Sequence, residues 1–270
     1  MSGRHKSSDG VRPKKQLGQH FLTSDAIAER IANTLSLEGY KHVIEIGPGT
    51  GVLTKFLIQK PIELEAIDLD EESIVYLNTA FKNTHEPSNL NVRYADILKL
   101  DLDRLFPGLP IAITGNYPYN ISSQIVFKML EHRNRVLEFT GMFQKEVAMR
   151  ICEKPGSKTY GILSVLVQAY YEAHYDFTVH PEVFNPPPKV QSGVIVLKRK
   201  STTELSCSYN TLKLVVKTAF NQRRKTLRNS LKGLNIPLSL TEDAIFDLRP
   251  EQLAVDAFVE LSTRIEHGAL

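Results

Sequence analysis

The sequence predicts an α/β fold: a mostly parallel sheet with helices on both faces, followed by a small all-helical C-terminal domain. Over the first 200 residues, short apolar or β-rich runs alternate with helix-like stretches, the pattern of βαβ units. After Lys200 the apolar period changes to that of a helix. The 270 residues, 42% hydrophobic and 23% charged, sit near the globular average. They suffice for one domain of roughly 200 residues and a smaller one.

Taken in order, Val43–Ile46, Leu64–Ile67, Val92–Ala95 and Ile111–Gly115 read as strands. Turn residues and helix-like stretches follow them at Gly51–Gln59, Glu71–Phe81 and Ile121–Leu130. Leu137–Phe143, Ile162–Tyr171 and Val190–Leu197 read as further strands, with Pro186, Pro187 and Pro188 breaking the chain before the last. Lys198–Ser206 is the expected linker. Beyond it Leu212, Val215, Val216 and Ala219, then Leu227 and Leu231, then Leu253, Phe258 and Leu261 recur at helical spacing. The expected domains are therefore residues 1–200, with a basic arm over 1–19, and residues 201–270.

Several classes are excluded at this level. The longest apolar candidate, Gly161 to Tyr171, is interrupted by Ser164 and Gln168 and falls short of the ~18 residues of a membrane span. The N-terminus is basic but carries no hydrophobic leader segment. Cys152 and Cys207 provide neither a disulfide framework nor a four-ligand zinc site. The expectation is a soluble, cytoplasmic monomer without a metal.

Net charge is 33 − 30 = +3, but its distribution is uneven. From Ser208 to Leu240 there is no Asp or Glu, while Lys213, Lys217, Arg223, Arg224, Lys225, Arg228 and Lys232 accumulate. The first 19 residues add Arg4, Lys6, Arg12, Lys14 and Lys15 against Asp9 alone. Two basic ends around a balanced middle point to a polyanionic partner, although two solvated faces give the same count.

The run His42-Val-Ile-Glu45-Ile-Gly47-Pro-Gly49-Thr-Gly51 is a strand entering a glycine-rich turn and a helix. Glycines there let the backbone pass close to a ligand lying over the helix N-terminus. The pattern is G-x-G-x-G, not the G-x-G-x-x-G of dinucleotide sites, and no phosphate-cradling G-x-x-x-x-G-K-[ST] loop is present. Asp68 ends the next strand, where a carboxylate can accept from ribose hydroxyls. Asp96 follows the third strand, where it can meet a base edge. A ligand with ribose and adenine but no pyrophosphate fits, and S-adenosylmethionine is one. A nicotinamide dehydrogenase is the main competitor and lacks its third glycine.

Asn116-Tyr117-Pro118-Tyr119 follows a strand at the carboxyl edge of the sheet, where ligands bind in this architecture. The Asn116 carbonyl and a backbone carbonyl beside Pro118 could accept the two N–H bonds of an exocyclic adenine amine, a poor nucleophile. Those bonds would favour the positive charge that develops as a methyl group arrives. Tyr119 offers a face for a base taken out of its stack. Alone, this tetrapeptide is equally a turn with a half-buried tyrosine.

On these residues the chain resembles the KsgA-type ribosomal RNA adenine dimethyltransferases over nearly its whole length. The resemblance rests on Lys14-Lys-Gln-Leu-Gly-Gln19-His20-Phe21-Leu22, the Glu45–Gly51 turn and Asn116–Ser123. It rests further on Val183–Ser192 and Ala219–Ser230, the two most specific matches. It implies a Rossmann-like class I methyltransferase sheet with a helical RNA- or ribosome-binding domain. The implied reaction is dimethylation of the 6-amino groups of two adjacent adenines near the 3′ end of small-subunit ribosomal RNA, during small-subunit biogenesis. It further implies that His20, Leu22, Gly47, Asp68, Asp96 and Asn116 line the cofactor site, with Glu45, Gly49 and Gly51 in the turn. Asn116 and Tyr119 would grip the base, and Phe184 would stack on its other face. RNA would lie on Arg223, Arg224, Lys225, Arg228 and Lys232. The chain departs from the family in having Tyr117 for Leu, Asp68 for Glu and His20 where Asn is frequent. The competing expectations are an Erm-type enzyme of large-subunit RNA and a non-catalytic RNA- or DNA-binding assembly factor.

Overall fold

The structure, a computed structural model, describes residues 11–81, 89–202 and 204–268. Arg4 and Lys6 of the expected basic arm, with Asp9, lie outside the described residues. The strands are β1 (Phe21–Leu22), β2 (His42–Ile46), β3 (Glu63–Asp68), β4 (Leu90–Tyr94), β5 (Ile111–Thr114), β6 (Val136–Gln144), β7 (Tyr171–Val179), β8 (Phe184–Asn185) and β9 (Ser192–Arg199). Seven of them form one sheet in the order β4-β3-β2-β5-β6-β9-β7, while β1 and β8 pair antiparallel by themselves. The pairs β2–β3, β2–β5, β3–β4 and β5–β6 are parallel. The strand order reverses between β2 and β5, so the turns after Ile46 and Thr114 open side by side at the carboxyl edge, the place where such sheets bind ligands.

The chain forms two compact units, residues 1–148 with 175–197, and residues 149–174 with 198–270. The linear division at residue 200 thus differs from this one: the second unit also takes in Met149–His174. Ile162–Gln168, read from sequence as part of a strand, is a helix. Its Leu163, Ser164, Val165, Leu166 and Val167 are all buried, so no apolar period was visible, and a short apolar run does not by itself tell strand from helix. Tyr171–Val179 is a strand in its own right, and the final strand starts at Ser192 rather than Val190.

In the first unit Val43, Leu57, Leu64, Ala112, Met142 and Val194 join one apolar core with Ala28 and Ile31 of the helix Asp25–Ala32. Each fully buried aliphatic side chain contributes roughly 1.5–3 kcal/mol, which makes the carboxyl edge of the sheet a rigid base for its loops. In the second unit Leu212, Val215, Val216 and Ala219 form the buried face of the helix Tyr209–Asn221. Phe220 stacks on Phe258 at 5.8 Å, and the Tyr160 hydroxyl donates to the Leu253 carbonyl at 3.0 Å. No helix among the described residues is long and apolar enough to cross a membrane.

Candidate active site

The glycine turn after β2 and the Asn-Tyr-Pro-Tyr loop after β5 border one cavity of about 180 Å³. Its wall takes Gly47 and Gly49 from the first, Asn116 to Ile121 from the second, Asp68 and Leu69 from the end of β3, and Asp96 from the turn after β4. The segment Leu17–Phe21 closes the remaining side. His20, Gly47, Gly49, Asp68, Asp96, Asn116 and Tyr119 are therefore brought together as the sequence led us to expect.

Asp68 is oriented by two backbone donors: Gly49 N–H donates to Oδ2 at 3.1 Å and Asp70 N–H to Oδ1 at 3.0 Å. Burial raises its pKa above the usual carboxylate range. Gly49 has φ +54°, and a Cβ there would lie 2.9 Å from the Phe21 ring, so only glycine brings its N–H to that carboxylate. Asp96 is half-exposed, with Oδ1 accepting from the Leu98 N–H at 3.0 Å.

The Asn116 Nδ2 donates to the His20 backbone carbonyl at 2.9 Å. That partner accepts only, so it fixes the amide orientation, and no donor among the described residues reaches Oδ1. The His20 ring stacks on Tyr119 at 5.4 Å, and its Nδ1 donates to the Pro186 carbonyl at 2.8 Å. The Pro118 carbonyl accepts from Ile121 N–H at 3.2 Å, which closes the loop as a turn. Tyr117 points into the core: it stacks on Phe139 at 5.1 Å, and its hydroxyl donates to the Thr140 carbonyl at 2.6 Å. Its ring packs behind the loop, and its hydroxyl is engaged away from the cavity.

Four predicted residues lie elsewhere. Glu45 is buried beneath the glycine turn, accepts from the Thr54 hydroxyl at 2.7 Å, and has its pKa pushed up to about 8, mainly by burial. Together with Leu22 it lines a smaller neighbouring cavity of about 20 Å³. A Cβ at Gly51 would lie 2.5 Å from the Phe81 ring, so this glycine serves helix packing and not ligand approach. Phe184, 4% exposed, pairs with Leu22 across β1 and β8 and belongs to the core; no ring from position 184 faces the cavity.

Sequence reasoning missed Asp70. Its buried carboxylate accepts from Lys14 Nζ at 2.6 Å and Gln19 Nε2 at 3.0 Å, tying down the segment that walls the cavity. Burial works against ionisation, but the Lys14, Gln19 and Glu72 donors outweigh it and hold the pKa low. The signal was present in Asp70-Glu71-Glu72-Ser73, a helix-capping pattern. Lys14, which also meets Glu72 at 3.1 Å, is thus engaged within the fold.

The cations that accumulate between Ser208 and Leu240 do not share one helix. The helix Tyr209–Asn221 ends at Gln222, and a new one runs Leu227–Ser230. Arg223 donates to the Ser157 and Lys158 carbonyls and lies 4.0 Å from Glu251. Arg228 is bidentate on Asp247 Oδ1, at 3.1 and 2.9 Å, and also donates to the Thr241 carbonyl. Arg224, Lys225 and Lys232 are exposed, with no acidic partner among the described residues.

Among the described residues, the cavity wall contains two carboxylates and no Lys or Arg. That donor set fits a ribose-bearing, positively charged ligand and would leave a pyrophosphate uncompensated. Ile46, Ile67, Leu69, Ala95 and Ile97 provide apolar surface for a base. No group of three or more His, Cys, Asp or Glu side chains that could hold a metal occurs among the described residues.

The sequence model of the ribosomal RNA adenine dimethylase family matches residues 10–254. A Flavobacterium johnsoniae protein named ribosomal RNA small subunit methyltransferase A is 55% identical over 256 residues, spanning 95% of this chain and 97% of its own. Its Bacteroides thetaiotaomicron namesake is 53% identical over 261 residues, 96% of each chain. Among solved structures, a dimethyladenosine transferase from Plasmodium falciparum aligns with TM-score 0.80 at 26% identity, over 93% of this chain and 99% of its own. The 23S rRNA methyltransferase ErmE aligns with TM-score 0.66 at 25% identity, over 91% and 99%.

Proposed function

The chain belongs to the ribosomal RNA adenine dimethylase family, and from that premise we propose that it dimethylates the 6-amino groups of two adjacent adenines near the 3′ end of small-subunit ribosomal RNA. It is a methyltransferase of small-subunit ribosomal RNA and uses S-adenosylmethionine. We assign the work to a monomer acting on immature small subunits in the cytoplasm.

The observation that carries the residue-level reading is the Oδ1 of Asn116, which no donor among the described residues reaches, on the wall of a cavity that they line with carboxylates and no Lys or Arg. Asp68 would accept from the ribose hydroxyls, and Asp96 would meet the adenine edge. Gly47 and Gly49 let the turn approach the ligand closely. When bound, S-adenosylmethionine supplies an electrophilic methyl group on a sulfonium. Asn116 Oδ1 then accepts an N–H of the target amine, turning its lone pair toward the methyl and stabilising the charge that develops on nitrogen. Its orientation is fixed by the His20 carbonyl in advance, so little reorganisation is required at the moment of reaction. Tyr119 would hold the extruded base by its ring face. Exposed Arg224, Lys225 and Lys232 would meet phosphates and hold the RNA without reading its sequence.

An Erm-type activity on large-subunit RNA is the second reading, from the fold likeness to ErmE at 25% identity. The relatives at 50–55% identity favour the small subunit. Turnover of labelled S-adenosylmethionine on immature small subunits, naked small-subunit RNA and large-subunit RNA tests both. Methylation confined to small-subunit adenines supports the proposal, and methylation only of large-subunit RNA overturns it. A protein that binds small subunits without turnover would be an assembly factor instead.

A further inference from the structure

Tyr119 lines the cavity with its ring half-buried, and two contacts limit how that ring can turn. The His20 ring lies over one face at 5.4 Å. The phenol oxygen is 2.5 Å from the Ser192 hydroxyl. Ser192 is the first residue of β9, is fully buried, and has no hydrogen-bond partner for its hydroxyl other than Tyr119 among the described residues.

The chain around Ser192 is hydrogen-bonded on one side and closely packed on the other. Gln191 accepts at its backbone carbonyl from Lys145 N–H at 2.9 Å, and its Oε1 accepts from Lys145 Nζ at 2.8 Å. A Cβ at Gly193 would lie 2.6 Å from the Tyr175 ring and 2.9 Å from the Ala148 side chain. Ser192 is therefore flanked by a doubly hydrogen-bonded Gln191 and a closely packed Gly193, whereas Tyr119 stands on a loop whose residues Asn116 to Ile121 border open space. The Tyr119 backbone is fixed separately, its carbonyl accepting from the Ser122 hydroxyl at 3.2 Å. What remains to be set is the side-chain torsion, and a hydrogen bond at the ring tip, farthest from Cα, sets it with the longest lever.

Resting on the function proposed above, we propose that Ser192 is a positioning residue: it fixes the plane of the Tyr119 ring on which the target adenine stacks. Aromatic stacking depends on near-parallel planes, so a ring free to rock grips the base for only part of the time. Ser192 touches neither cofactor nor base; it acts through Tyr119. The alternative is that Ser192 is merely a buried hydroxyl that needs some partner and found a phenol.

The test is a cycle of Ser192→Ala, Tyr119→Phe and the double variant, with Ser192→Thr as the conservative control. Each single variant loses the same neutral hydrogen bond, so each should lower kcat/KM for RNA by about three- to tenfold. The double variant should be no worse than either single one. Ser192→Thr should recover most of the loss, and cofactor affinity by calorimetry should stay unchanged throughout. Tyrosine labelled with ¹³C in the ring supplies a readout that needs neither RNA nor turnover: the Tyr119 signal should move and broaden in Ser192→Ala. Additive losses in the cycle, wild-type kinetics in Ser192→Ala, or a kinetic loss with an unmoved Tyr119 signal would each overturn the proposal. If the wild-type protein methylated no small-subunit RNA, the proposed function would fall, and the labelled-tyrosine arm would still decide whether Ser192 fixes the ring.

Discussion

The Asn116 side-chain amide donates to the His20 main-chain carbonyl at 2.9 Å, and this bond determines which end of the amide is left for a ligand. A carbonyl offers no proton, so the NH₂ must face it and Oδ1 must face away. The residue we propose to accept from the target amine is thus aimed by the segment that walls the cavity.

Asn116→Ala should abolish methyl transfer while reducing cofactor affinity only modestly. Loss of one preorganised partner of the developing charge costs on the order of 10²–10³ in rate. Single-turnover rates with RNA, beside calorimetric titration of S-adenosylmethionine, check it; a variant with more than half of wild-type turnover refutes the assignment.

Asp68→Ala should weaken S-adenosylmethionine roughly ten- to a hundredfold, the range for hydrogen bonds to a charged group. It also leaves the Gly49 and Asp70 N–H groups without their acceptor, so a fall in melting temperature is expected as well. Unchanged affinity by calorimetry would return Asp68 to a structural role.

Phe184→Ala and Tyr119→Ala should part company. Phe184 lies in the core, so its truncation should cost roughly 3–5 kcal/mol of stability, read by urea unfolding. Tyr119→Ala should cost less stability, about 1–3 kcal/mol for the buried Ser192 hydroxyl left without its partner, and should lower turnover of the folded protein on RNA, since base stacking is worth ~1–3 kcal/mol. A Phe184→Ala protein of wild-type stability and impaired turnover would restore the stacking role expected from sequence.

The arginines should also divide. Arg224→Gln with Lys225→Gln should flatten the plot of log affinity for RNA against log salt by up to about two units, with cofactor binding untouched. Arg228→Gln should leave that slope alone and cost at most about 1 kcal/mol of stability, because its partially exposed guanidinium is engaged by Asp247. Equal slopes for all variants would remove this surface from RNA binding.

Glu45 gives the protein a pH signature. Its folded pKa, about 8, lies above the ordinary glutamate value of 4.5, so between those values the native state holds a proton that the unfolded state has released. Stability should therefore fall as pH rises from about 4.5 to 8 and level off above. Glu45→Gln keeps the acceptor for Thr54 and should flatten this fall, measured by urea unfolding at a series of pH values. An unchanged slope in the variant would mean that Glu45 is ionised in the fold.

By itself the sequence determined the parallel sheet, since Val43–Ile46, Leu64–Ile67 and Ile111–Gly115 are apolar runs between turn signals, and burial of those runs needs no distant information. It also determined the cavity's chemistry, because Gly47, Gly49, Asp68, Asp96 and Asn116 each stand at a strand end, and parallel strands deliver all their carboxyl ends to one edge. Tertiary structure alone decided what long-range packing and pairing control. Ile162–Gln168 is a helix whose Leu163 to Val167 are all buried, so its sequence carried no period to tell it from a strand. Phe184 went to the core because β8 pairs with β1, 162 residues earlier at Leu22↔Phe184. Arg228 met Asp247 and Lys14 met Asp70, so cations that sequence counted as free are engaged inside the fold. A residue's type and spacing limit what it can do, but which partner neutralises, buries or aims it depends on segments that only the folded chain brings within hydrogen-bond reach.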